Sequence, residues 1–460
     1  MNKSFLESFI FEKMSETALP GLSIAIIKED EIVYARGFGQ RDVENGLPTS
    51  PDTMYSAASV TKSFTALAIL QLVEQAKLTL DDDISEYLDF NIKPKGQNIL
   101  IKHLLSHSSG IPSLGYAEAL INHVNGLGGK ALPIAGPKDI MTFASGASDW
   151  VETKPGERWF YFNEGYAMLG QIIEEVSGLA YNDYIRQNIL EPLDMNRSYF
   201  AKKEIDALDD VAVPYNVRLG QIPEPGHYLY RSIRSEGGLI TSVVDLTKYI
   251  AMYLSGGKGI ISKASLKQMQ TPRVAMPWLS RPELFSNKKA KAVAHYGYGL
   301  ILEDFYGEKL IGHSGHVGVA TAQISFLPKQ NLGVAILANG GGYATSQFAK
   351  TALASYLEKD ISKLTFMATD NSLSNLTGRY QAYKGTINAK VIKHADFLKL
   401  FIGQGENAEE QILVPKTLGK DKSRFFTLLN GASLDVEFYN RNGNIEFIFE
   451  RYKFKRIGPI

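Results

Sequence analysis

Ser59-Val60-Thr61-Lys62-Ser63-Phe64-Thr65-Ala66-Leu67-Ala68-Ile69-Leu70 puts a hydroxyl and an amine three residues apart at the head of an apolar run. From Ser59 to Ala76 the residues are mostly helix formers, with Phe64, Leu67, Ala68, Leu70 and Leu72 at helical spacing, so a helix that shields Lys62 is predicted. Upstream, Gly21 to Ile27 and Ile32 to Gly39 are β-rich runs separated by the polar Lys28-Glu29-Asp30-Glu31, which reads as a hairpin. Downstream, a mostly helical region runs to Leu193, punctuated at Gly110-Ile111-Pro112 and Lys154-Pro155-Gly156. β-rich runs return at Val319 to Pro328 and Leu332 to Asn339, and a helix over Ala344 to Glu358 closes the series. Strands first, helices inserted and strands last make an α+β domain, residues 1–361, whose two ends build one sheet.

The character changes after Asp360. Short β-rich runs follow one another, among them Asn388 to Ile392 and Phe397 to Ile402. The clearest hairpin is Leu434 to Tyr439, a turn through Asn442-Gly443, and Ile445 to Phe449. Residues 376–460 therefore predict a small antiparallel barrel, joined to the first domain by a linker over 362–375.

Composition narrows the function. The 49 basic and 49 acidic residues cancel, so no global field draws the chain to nucleic acid or an anionic membrane. There is no cysteine, which excludes disulfides, thiolate catalysis and cysteine metal sites. Met1 to Lys13 carries acids inside its apolar stretch and reads as an amphipathic helix rather than a signal peptide. No run reaches the roughly 18 apolar residues of a membrane span, so a cytoplasmic location is expected.

A serine hydroxyl is a weak nucleophile and needs a neighbouring base. A lysine one helical turn away can serve if burial lowers its pKa. Alone, Ser59-x-x-Lys62 is also what a helix cap beside a solvated lysine looks like. The spacing recurs at Ser255-Gly256-Gly257-Lys258 and Ser286-Asn287-Lys288-Lys289, but only Ser59 opens an apolar helix. In Tyr161-Phe162-Asn163 the phenol can relay a proton and the amide can bind a substrate carbonyl or the lysine. Gly312-His313-Ser314-Gly315-His316 stands before a strand expected over Val317 to Phe326. Small residues there let a substrate backbone lie against the strand edge, and His313 can assist proton transfer or orient a substrate carboxylate. Taken singly, Tyr161 reads as a core or turn aromatic and His313 as a loop histidine; it is their company that favours the chemical reading.

Ser59-x-x-Lys62, Tyr161-x-Asn163 and His313-x-Gly315, in this order, resemble the serine β-lactamase and penicillin-binding-protein family, and within it the class C and DD-peptidase branch. Ile101 to Pro112, Gly165 to Glu174 and Glu236 to Ser242 are similar to further stretches of that branch, and the likeness covers residues 8 to 358. It implies that Ser59 is the acylated nucleophile, that Lys62, Tyr161 and His313 handle protons, and that Asn163, Ser314 and Gly315 bind substrate. The backbone N–H groups of Ser59 and His316 would form the oxyanion hole. No metal and no cofactor is implied. Two positions depart from the pattern: Phe162 replaces a small residue, narrowing the cleft, and His313 replaces the cation of Lys-Thr-Gly, weakening the hold on a β-lactam carboxylate. The C-terminal segment is similar to the lipocalin-like domain of archaeal peptidases that form closed oligomers, which implies a homo-oligomer.

The expected activity is a serine peptidase or aminopeptidase on small peptides, including those with D-amino acids. An esterase or β-lactamase on the same site is the alternative, and a non-catalytic scaffold with a ligand-binding barrel is the alternative from another class. Competing motifs are incomplete. No Gly-x-Ser-x-Gly elbow is present. His103 and His107 have metal-ligand spacing without the glutamate of a zinc protease. Gly340-Gly341-Gly342 lacks a phosphate loop's lysine, and Asp81-Asp82-Asp83 lacks calcium-loop spacing.

Overall fold

In the computed structural model, residues 2–128, 131–218, 220–228, 233–276, 294–403 and 408–460 are described. Contacts divide the chain into one unit of Met1–Pro277 with Val293–Glu358 and a second holding Lys359–Ile460.

The first unit is organised by a nine-stranded antiparallel sheet. Strand Gly21–Lys28 turns through Glu29 and Asp30, at φ 53° and 67°, into Glu31–Asp42. Two left-handed residues give a turn whose twist matches that of the flanking strands. On its other edge Gly21–Lys28 pairs with Leu332–Ala338, with Leu22 opposite Ala338 and Lys28 opposite Leu332. The sheet continues through Thr321–Leu327, Glu308–His316, Ile301–Phe305, Ala294–Tyr296 and Val274–Ala275. Every residue of Thr321–Leu327 and Leu332–Ala338 is buried, so these strands read as unbroken apolar runs rather than alternating ones. Helices Val243–Leu254 and Thr345–Tyr356 pack on them.

Helix Thr61–Glu74 is buried on all sides from Thr61 to Leu72. The expected start at Ser59 is corrected by two residues: Ala58–Val60 is a 3₁₀ turn and the α-helix begins at Thr61. Ala58 holds φ 46°, a left-handed conformation that costs a non-glycine residue about 1–2 kcal/mol. Hydrogen bonds from the Thr61 hydroxyl to the Ala58 carbonyl (2.7 Å) and from the Ala58 N–H to Ser56 Oγ (3.2 Å) hold it there.

The segment around His313 also differs from expectation. Gly312 to His316 is the end of strand Glu308–His316, not a loop, and the next strand begins at Thr321. Pairing with Ile301–Phe305 stops at Gly312, so on that side His313 to His316 run past their neighbour as a local strand edge.

In the second unit eight antiparallel strands from Gly378–Gln381 to Tyr452–Gly458 close into a barrel. Asn442 and Gly443, both at positive φ, make the expected hairpin turn between Ala432–Arg441 and Asn444–Phe449. The interior is filled: Phe447 lies 4.7 Å from Phe454, 4.9 Å from Phe438 and 5.0 Å from Tyr380, centroid to centroid. The stretch read as a linker contains a helix, Thr365–Asn375, whose Asp370 pairs with Lys393 of the barrel at 2.5 Å.

Candidate active site

The Thr61–Glu74 helix carries Lys62 into the interior with none of its surface exposed. Its Nζ lies 3.1 Å from the half-buried Ser59 Oγ and donates to the Glu236 carbonyl at 2.6 Å. The aromatic faces of Tyr161 and Tyr166 lie 4.8 and 5.6 Å from the amine. Burial disfavours the ammonium and pulls the Lys62 pKa down to about 7, against the opposing pull of Glu236, Glu118 and Glu164. An amine in that range is part free base at neutral pH and can take the serine proton.

Tyr161 hydrogen-bonds Ser59, while burial holds its phenol well above the usual range. It therefore stays protonated and suits relay better than first proton abstraction. His107 sets its position from both sides: the His107 carbonyl accepts from Phe160 N–H (2.8 Å) and its Nδ1 accepts from Phe162 N–H (2.9 Å). The His107 ring packs 4.2 Å from that of Tyr161, and burial together with the nearby Lys62 keeps it neutral. The other half of the possible metal pair, His103, accepts the Leu100 N–H through its own Nδ1 at 3.0 Å. Both histidines thus spend a ring nitrogen on the backbone.

Asn163 opens helix Asn163–Ser177, and its Nδ2 donates to Glu118 at 3.3 Å. Gly315 lies beneath the nucleophile turn. A Cβ there would stand 2.3 Å from the Ala57 carbonyl oxygen and 3.1 Å from the Ser59 nitrogen, so only glycine lets the strand approach this closely. Ser59, Tyr161, Asn163, Glu118, Glu236 and His316 all face one cavity of about 210 Å³. Ser314 is exposed on the strand.

His313 is brought to the site but not in the expected capacity. Its Nδ1 donates to the Ser314 carbonyl (2.6 Å) and its Nε2 accepts from the Tyr296 hydroxyl (2.8 Å). Burial and the nearby Lys62 push its pKa down to about 3. A neutral imidazole with both nitrogens engaged takes up no second proton at neutral pH and offers no positive charge to a carboxylate.

The sequence reading passed over Glu118, Tyr116 and the side chain of Glu236. The only available signal was their acidity or polarity in otherwise apolar surroundings, and a helical Glu118 three positions from Ile121 looks like any solvated face.

A hydroxyl, a buried amine and a phenol lie in contact beside a strand edge. The Beta-lactamase family model matches residues 6–358. The chain belongs to that family. A second model, the Pab87 octamerisation domain, matches residues 361–455 of this Beta-lactamase family member. The octameric penicillin-binding protein homologue from Pyrococcus abyssi is 44% identical and superposes with a TM-score of 0.91, covering 99% of this chain and 100% of that one. Protein flp of Staphylococcus aureus (strain N315) is 31% identical over 341 residues, 73% of this chain and 62% of that protein, so less than two thirds of that relative's length is spanned. A D-stereospecific amidohydrolase from Streptomyces shares the fold at 21% identity, with a TM-score of 0.61 over 78% of this chain and 100% of that one. Members of this superfamily are serine hydrolases. Among the described residues, no helix is long and apolar enough to cross a membrane.

Proposed function

We propose that this chain is a serine peptidase that forms an acyl-enzyme on Ser59. The observation that carries the reading is the unexposed Lys62 amine 3.1 Å from the Ser59 oxygen. As Ser59 Oγ attacks a substrate carbonyl, its proton passes to Lys62 and is delivered, by way of Tyr161, to the leaving amine. Water then attacks the Ser59 ester and releases the acid. The N–H groups of Ser59 and His316 stabilise the oxyanion, a role supported by both residues lining the same cavity.

Charge favours an amine-bearing substrate. Among the described lining residues the carboxylates Glu118 and Glu236 are accompanied by no lysine or arginine, and Ala117, Ile121, Ile233 and Val317 supply an apolar wall. A short peptide whose first residue has an apolar side chain and a free α-ammonium, of L or D configuration, fits both features. A β-lactam carboxylate meets like charge there, and His313 offers it no cation. Esters share the acylation step and serve as reporters for it. The barrel's match to an octamerisation domain supports a homo-oligomer.

Labelling with a fluorophosphonate tests the acylation step. Wild type is expected to label and Ser59→Ala to remain blank; equal labelling of the two ends the proposal. A peptide library with L and D first residues then assigns the substrate.

A further inference from the structure

The turn Ser235 to Leu239 is fastened to the nucleophile helix at several points. The Thr65 hydroxyl donates to the Ser235 carbonyl (2.6 Å), the Leu239 N–H donates to Thr61 Oγ1 (3.2 Å), and the Ala57 N–H donates to the Leu239 carbonyl (2.8 Å). Gly170 makes the approach possible from the helix opposite, because a Cβ there would stand 2.2 Å from Ser235 Oγ. Glu236 sits at the centre of this turn with 3% of its surface exposed. Its carboxylate accepts from the Tyr116 hydroxyl, from the Arg234 N–H (3.2 Å) and from the Ser235 hydroxyl (3.3 Å). The same residue's carbonyl is the 2.6 Å acceptor of Lys62.

We infer that Glu236 is a positioning residue for Lys62: its clamped carboxylate aims the carbonyl that binds the amine and, as a fixed negative charge beside it, sets the pH at which the amine becomes a base. The inference rests on Lys62 being the base for Ser59. A buried carboxylate with three donors is an expensive group to keep for packing alone, since an apolar residue of similar volume would serve the core as well. Its neighbourhood gives it a job. Burial drives the amine toward neutrality, and Glu236 is foremost among the groups that oppose this. The other titratable groups near Lys62 are Glu118 on the Tyr116–Val124 helix, Glu164 on the Asn163–Ser177 helix, the phenols of Tyr161 and Tyr166, and the neutral His107 and His313. Removing the Glu236 charge leaves burial less opposed, so the amine loses its proton at lower pH and the acid limb of reactivity moves down.

The test is the pH dependence of the fluorophosphonate labelling rate, which needs no knowledge of the natural substrate. In wild type the rate is expected to rise through pH about 7. In Glu236→Gln the midpoint is expected to fall by about half a pH unit or more, so that well below it the variant has about threefold more free amine than wild type. Glu236→Met removes the same charge with an apolar side chain and is measured alongside. Unshifted midpoints in whichever variant folds, judged by thermal melting, overturn the inference, as does failure of both variants to fold. If wild type shows no limb near pH 7, or Ser59→Ala labels, the base assignment itself has failed, an outcome distinct from an unshifted Glu236 variant.

Discussion

Around Lys62 the interior is polar: an amine, the glutamates Glu164 and Glu236, two histidines and a layer of tyrosines lie out of water, bound to one another and to the backbone. The barrel interior is the opposite, built from Phe425, Phe438, Phe447, Phe454 and leucines. The first unit is built on an open nine-stranded sheet and the second is a closed barrel. The site buries an amine and carboxylates, which cost free energy to desolvate, whereas the barrel's buried polar side chains, Gln411, Ser423, Thr427 and Glu446 among them, surround an aromatic centre. Polar burial on that scale is maintained where it tunes chemistry, whereas an aromatic core holds shape. The comparison is in keeping with the reactivity proposed for the first unit and a structural role for the second.

The largest effect that can break this contrast is at the amine. Lys62→Met is expected to lower ester turnover by about 10²- to 10⁴-fold, the range for loss of a general base. Because an apolar chain of similar length replaces a buried amine, thermal stability is expected to hold or rise. Parallel loss of turnover and fold would make Lys62 structural. In the barrel the pattern should invert. Phe447→Ala is expected to cost about 3–5 kcal/mol in denaturant unfolding through the lost rings and the cavity left behind. Its folded protein is expected to label at Ser59 at the wild-type rate. The smallest change sharpens the site alone: Glu118→Gln is expected to raise KM about tenfold for peptides with a free amino group, in line with one charge-assisted hydrogen bond. N-acetylated peptides are expected to show no such penalty. Equal effects on both would remove Glu118 from amine recognition.

Several elements were legible without coordinates because their signals are local. The Gly21–Asp42 hairpin announced itself by two β-rich runs around a polar turn, and the last barrel hairpin by Asn442-Gly443. Helix Thr61–Glu74 was legible from its apolar spacing. The start of that helix was misplaced because Ser59 occupies a turn strained at Ala58, and a left-handed alanine leaves no mark in composition. The setting of His313 was hidden for a related reason: histidine chemistry depends on what its nitrogens touch, and Tyr296 lies 17 residues away.

Residue order by itself determined the α+β domain followed by a barrel, and it singled out Ser59, Lys62 and Tyr161, which the fold brings into contact. Both follow from short-range patterns, hydrophobic period and motif spacing, that a chain carries before it folds. Only the tertiary structure decided that Lys62 is wholly out of water, that His313 is neutral and engaged, and that Glu236 and Glu118 stand at the cavity. Desolvation and electrostatics at these groups depend on neighbours distant in sequence, as Glu236 is from Lys62 by 174 residues, and no local pattern encodes that proximity.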